Sequence, residues 1–154
     1  MKHQLWTTMR DAISNVLGTM FFLSPEFAEG RNLRAFQQWP FFLESSIIIA
    51  SKARGLRLVF RVTKEFAATI TANFLGVDQE EVPLEEMEDT LKELANMVGG
   101  DCLVRLPADN WELGIPKIEQ PKADADAYFA PEMYTVVVSW DDRPMAVIHS
   151  YVDQ

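Results

Sequence analysis

A chain of 154 residues has room for one domain with its own core, and 48% apolar with 24% charged residues is a globular composition, not a disordered or fibrous one. The formal net charge of −9 leaves no basic footprint for nucleic acid and would be repelled by an anionic membrane face. Its plain reading is solubility.

Cys102 is the single cysteine, so no internal disulfide can form, which suits a reducing cytoplasm. Lys2 and His3 lead into an amphipathic pattern, not a signal peptide, and apolar runs such as Tyr134 to Val138 are too short to span a bilayer. One cytoplasmic domain over residues 1–154 is expected.

Leu5, Met9, Ala12, Ile13, Val16, Leu17 and Met20 recur at helical spacing and predict a first helix over roughly 3–21, stopped by Ser24-Pro25. Residues 25–40, with Gly30 and Pro40, read as loop or irregular structure, and 20–40 suggests no role. Residues 41–52, with Ile47-Ile48-Ile49, read as a strand. Over 54–62, Leu56, Leu58, Phe60 and Val62 face one way and Arg57 and Arg61 the other. The short link Ala53-Arg54-Gly55 makes the two strands a hairpin.

Thr63 is placed to cap a second helix to about Leu75, with Phe66, Ile70 and Phe74 as its stripe and Gly76 just past its end. Pro83 sits in the first turn of a third helix, with Glu85 and Glu86 at the positive end of its dipole. Gly99-Gly100 is expected to end it, followed by a strand over 101–106 that buries Cys102 as a small hydrophobe. Residues 107–130 read mostly as loop, with a short strand near Ile115 to Glu119. Strands close the chain at about 132–140 and 144–152, joined by Asp141-Asp142-Arg143. The fold class expected is α+β, a largely antiparallel sheet with long amphipathic helices packed on it.

The third helix carries the informative residues. At about 100° per residue, Leu84, Met87, Leu94, Ala95 and Val98 cluster around Leu91 as the buried stripe, while Asp89, Glu93 and Asn96 fall opposite. Glu93 and Asn96, three apart, are surface neighbours. By periodicity alone this is an ordinary solvated face.

The wider text, Glu93-Leu94-Ala95-Asn96-Met97-Val98-Gly99-Gly100, resembles the signature helix of the CheC/CheX/FliY phosphatases: an acidic residue, two spacers and Asn, then apolar and small residues. Gly114-Ile115-Pro116-Lys117-Ile118 resembles the Pro-containing strand that follows in CheX-type members. The resemblance spans about residues 80 to 120, and more loosely the whole helix–strand order.

The resemblance implies a phosphatase for a phosphorylated CheY-like response regulator. Asn96 would orient a water for in-line attack on the aspartyl phosphate, and Glu93 would hold the receiver's lysine. Asp89 and Glu86 are the further candidate partner-binding residues. No cofactor of its own is implied; magnesium is expected on the partner receiver domain, and a homodimer is suggested. CheC-like members carry a second motif on an earlier helix. Here Ala12, not an acid, stands three before Asn15, with Asp11 four before, so one site per chain is expected. The alternative is a non-catalytic adaptor or assembly protein of the same fold.

Other candidates are weaker. His3 and His149 lack partners at metal-binding spacing. Asp124 and Asp126 lack an EF-hand pattern, and no phosphate loop or nucleophile elbow is present. Trp39, Phe41 and Phe42 read as core or sheet-edge packing, with an interface as the alternative. Arg57 and Arg61 read as an exposed face or a helix-facing salt bridge.

Overall fold

The computed structural model describes residues 2–24, 26–29, 40–52, 55–107, 110–120, 133–140 and 143–153. In chain order they form α1 (Lys2–Met20), β1 (Glu26–Glu29), β2 (Phe41–Ala50), β3 (Gly55–Thr63), α2 (Lys64–Leu75), a 3-10 turn (Gln79–Glu81) and α3 (Leu84–Arg105). Then come β4 (Glu112–Leu113), β5 (Lys117–Glu119), β6 (Met133–Trp140) and β7 (Arg143–Asp153). The strands make one antiparallel sheet in the order β1-β6-β7-β3-β2-β4, with β5 also pairing β2. The three helices share one core with the sheet, which is the α+β arrangement expected.

The alternation in β3 sorts its side chains. Leu56, Leu58, Phe60 and Val62 join Leu43, Ile47 and Ile49 of β2 in the core beneath the helices. Val59 and Arg61 point to the opposite face, where their register partners are Ser46 and Glu44, and all four are buried. Arg61 Nε lies 3.2 Å from Glu44 Oε1, a coulombic contact rather than an aligned hydrogen bond. The Arg61 guanidinium carbon also sits 4.6 Å from the Phe41 ring centre. Arg61, read as exposed or in a helix-facing salt bridge, is thus neither: it is buried, and its ion pair runs between strands on the face away from the helices.

Local chemistry sets the helix ends. Thr63 Oγ1 accepts from the Phe66 N–H at 3.2 Å and starts α2. Gly76 ends it at φ 70°, its N–H donating to the Ala72 carbonyl, a conformation that costs glycine little. After α1, Phe21 turns inward; its ring stacks on Phe74 at 5.3 Å, and its carbonyl accepts from Asn73 Nδ2 at 2.8 Å.

Five expectations are corrected. Gly99-Gly100 does not end α3, and residues 101–106 are not a strand: the helix continues to Arg105. A Cβ on Gly99 would stand 2.8 Å from Leu113 Cδ1 and 3.4 Å from Ile47 Cγ2, so this glycine lets the helix press on β2 and β4. Cys102 is buried as expected, but from a helix. Within 25–40, Glu26–Glu29 forms an edge strand on β6. Leu84, read as part of the buried stripe, is 48% exposed because it opens α3 beyond the packed region. Pro83 stands just before the helix, with ψ 158°. Gly30, Trp39, Asp124, Asp126 and the Asp141-Asp142 turn lie outside the described residues, as do the side chains of His3 and His149, which fall in α1 and β7.

Candidate functional site

The sheet fixes α3 from below. Met87, Thr90, Leu91, Leu94, Ala95, Val98, Gly99 and Cys102 are its buried residues, and Ser45 Oγ on β2 donates to the Leu91 carbonyl at 3.3 Å. Beside it, Asn15 Nδ2 on α1 reaches Asp101 Oδ1 at 3.4 Å, while Asp101 Oδ2 accepts from Arg105 Nε at 2.9 Å. These contacts hold the helix in register without using its outer face.

That outer face carries the residues singled out from the sequence. Glu86, Asp89 and Glu93 are exposed and Asn96 is half-buried. At about 100° per residue the four fall within about 80° of one another, along roughly three turns. Glu93 and Asn96 are adjacent on it. Among the described residues, no group in the fold bonds either the Glu93 carboxylate or the Asn96 amide. Asp89 pairs with Lys92 at 3.5 Å, an exposed contact worth well under about 1 kcal/mol.

An unbonded amide can donate and accept at once, so it can hold a water at a set angle. An unpaired carboxylate one turn away can receive a cation. Together they can position; neither is a nucleophile. Among the described residues, no three His, Cys, Asp or Glu side chains converge to hold a metal ion, and no helix is long and apolar enough to cross a membrane.

The sequence reading did not identify Asp101, whose bonds to Asn15 and Arg105 tie α1 to the end of α3. A helix running through Gly99-Gly100 would have revealed the i,i+4 spacing of Asp101 and Arg105. On α1, Ala12 is fully buried and Asn15 is engaged with Asp101, so α1 does not repeat the outer-face pair of α3.

Comparison with known proteins adds a family. The sequence model of the chemotaxis phosphatase CheX family matches residues 45–125, a span that includes all of α3 and the Pro116 segment. No curated protein matches the chain. Among solved structures, a CheC-like superfamily protein from Shewanella sp. PV-4 aligns at TM-score 0.77 and 18% identity over 100% of both chains. CheX of Borrelia burgdorferi, solved in a complex with CheY, BeF3 and magnesium, aligns at TM-score 0.76 and 15% identity, covering 96% of this chain and 97% of that one. CheX of Vibrio vulnificus aligns at TM-score 0.73 and 17% identity, covering 96% and 95%. At these identities the likeness is one of fold.

Proposed function

The chain belongs to the family of the chemotaxis phosphatase CheX, and from that premise we propose that it hydrolyses the aspartyl phosphate of a CheY-like response regulator. The observation that carries this reading is the pair Glu93 and Asn96, side by side on a braced helix and free of bonds within the described fold. The Borrelia relative crystallised with CheY supports the choice of partner.

In this reading α3 docks across the receiver's phosphorylation site. The Glu93 carboxylate pairs with a receiver lysine, and Asp89 and Glu86 extend the docking face. Asn96 enters the site and holds a water in line with the phosphorus. The water oxygen bonds to phosphorus as the bond to the aspartyl oxygen breaks. The aspartate leaves as its carboxylate, and the water's protons leave with dihydrogen phosphate.

An acyl phosphate has a good leaving group, so placement and charge neutralisation matter more than a strong base. Magnesium, with most of the charge stabilisation, belongs to the receiver. Both partners are expected to be acidic at the site, so recognition rests on local contacts rather than long-range steering.

The test is phosphate release from a phosphorylated CheY-like receiver with the wild-type chain and with Asn96→Ala. Wild type should accelerate release, and the variant should lose about 10²–10⁴-fold, the scale of a positioned catalytic group. Binding without any change in the decay rate would reject the phosphatase and leave a receiver-binding adaptor.

A further inference from the structure

The two glycines of α3 differ in what the fold asks of them. Gly99 faces Ile47 and Leu113, and a Cβ there would force the Leu113 side chain aside. A Cβ on Gly100 would meet nothing within 4 Å. Its φ is not positive, and it lies five residues before the end of a continuous helix at Arg105. Nothing within the described fold requires a glycine at 100, yet glycine is among the least favourable residues for a helix interior.

Position 100 also has a telling place. Glu93, Asn96, Gly100 and Val104 follow at i, i+3, i+7 and i+11, so they run as one stripe along the outer face. Gly100 is one turn beyond Asn96. Val104, a turn further, is 84% exposed, an apolar side chain the fold leaves uncovered. The stripe thus reads carboxylate, amide, bare backbone, apolar knob.

Resting on the phosphatase reading above, we infer that Gly100 is a positioning residue for the receiver. Its missing side chain leaves a notch beside Asn96 into which the receiver's backbone settles as it docks. Val104 packs against the apolar rim of the same partner surface. An Asn side chain is short, so a side chain at 100 with no partner group to meet would hold the receiver off, whereas Glu93 meets a cation there. Gly100 therefore acts on docking affinity, while Asn96 acts on the water.

The two roles separate in kinetics. Gly100→Leu should raise the KM for phosphorylated receiver about tenfold or more, with kcat at saturating receiver held within about twofold. It should weaken binding to a receiver charged with beryllium fluoride and magnesium by a similar factor. Gly100→Ala should do the same more mildly, about two- to fivefold, while raising the thermal midpoint by about 2–4 °C, since alanine favours the helix. Asn96→Ala should show the opposite split, with kcat lost and binding kept.

If wild type is active and both Gly100 variants match it in KM and binding, the role of Gly100 is overturned and the phosphatase reading stands. If wild type neither binds nor dephosphorylates the receiver, both fall together. Should Gly100→Leu fail to fold, the alanine variant decides by its KM alone.

Discussion

Arg61 and Glu44 face each other across β3 and β2, 3.2 Å apart between Nε and Oε1, with 8% and 3% of their side chains exposed. Charges this deep have lost most of their hydration, and their mutual attraction offsets that loss. Truncating one should therefore cost far more than replacing both. Arg61→Met is expected to lower stability by about 3–5 kcal/mol, and the double change Glu44→Leu with Arg61→Met by much less. Urea unfolding of the three chains checks this; a single variant within about 1 kcal/mol of wild type would contradict it.

Gly99 gives the packing counterpart. A Cβ there meets the end of a flexible Leu113 side chain, which can swing aside for alanine. Valine adds a second branch toward Ile47. Gly99→Val should cost about 1–3 kcal/mol by overpacking, and thermal unfolding should show a lower midpoint than for Gly99→Ala. Equal midpoints would contradict a tight contact of α3 with β2 and β4 at this position.

Cys102 sets an alkaline limit. Burial, aided by the charge of Asp101, pushes its thiol from 9.0 up to about 12. The folded state therefore keeps its proton where the unfolded state loses it. Stability is unaffected by this group below about pH 9 and falls as pH rises from there toward about 12, by up to about 1.4 kcal/mol per pH unit. Denaturant titrations from pH 8 to 11 should show that decline, and Cys102→Ala should flatten it. At pH 8 the folded chain should also resist thiol reagents that label the unfolded chain within minutes.

Glu93 is exposed, so its contribution to docking should be electrostatic and screenable. Glu93→Gln is expected to raise the receiver's KM about tenfold in low salt and by less at about 0.5 M salt, with the fold unchanged. Receiver-binding isotherms at several salt concentrations check it. A defect that does not shrink with salt would point to a shape role instead.

Where the chemistry is local, the elements were legible in the residues. Thr63 and Gly76 bracket α2 because a cap hydroxyl and a left-handed glycine act within one turn. The β2–β3 hairpin and the facing of Leu58, Phe60 and Arg61 follow from strict alternation. The end of α3 was not legible: Gly99-Gly100 reads the same whether a helix stops or is pressed against a sheet, and only the distant Ile47 and Leu113 decide. Edge strand Glu26–Glu29 pairs with residues 136 to 139, over a hundred positions later, and its four residues carry no strand pattern of their own. At the candidate site, the face of Glu93 and Asn96 could be read from periodicity, but their distinction from any polar face came only from resemblance. The Asn15–Asp101 link depends on two helices meeting, which neither helix announces.

Leu91, Leu94 and Val98 meet the sheet, while Glu93, Asn96 and Gly100 look outward from the same turns of α3. In the proposed reading, folding and recognition thus fall to opposite sides of one rod. Substitutions on the outer side touch little of the core, so over generations that side can be rewritten for a new receiver at small cost to the scaffold. The same separation makes the helix a convenient cassette: its outer residues can be exchanged for those of a relative, leaving the buried stripe in place, to ask whether partner choice travels with them.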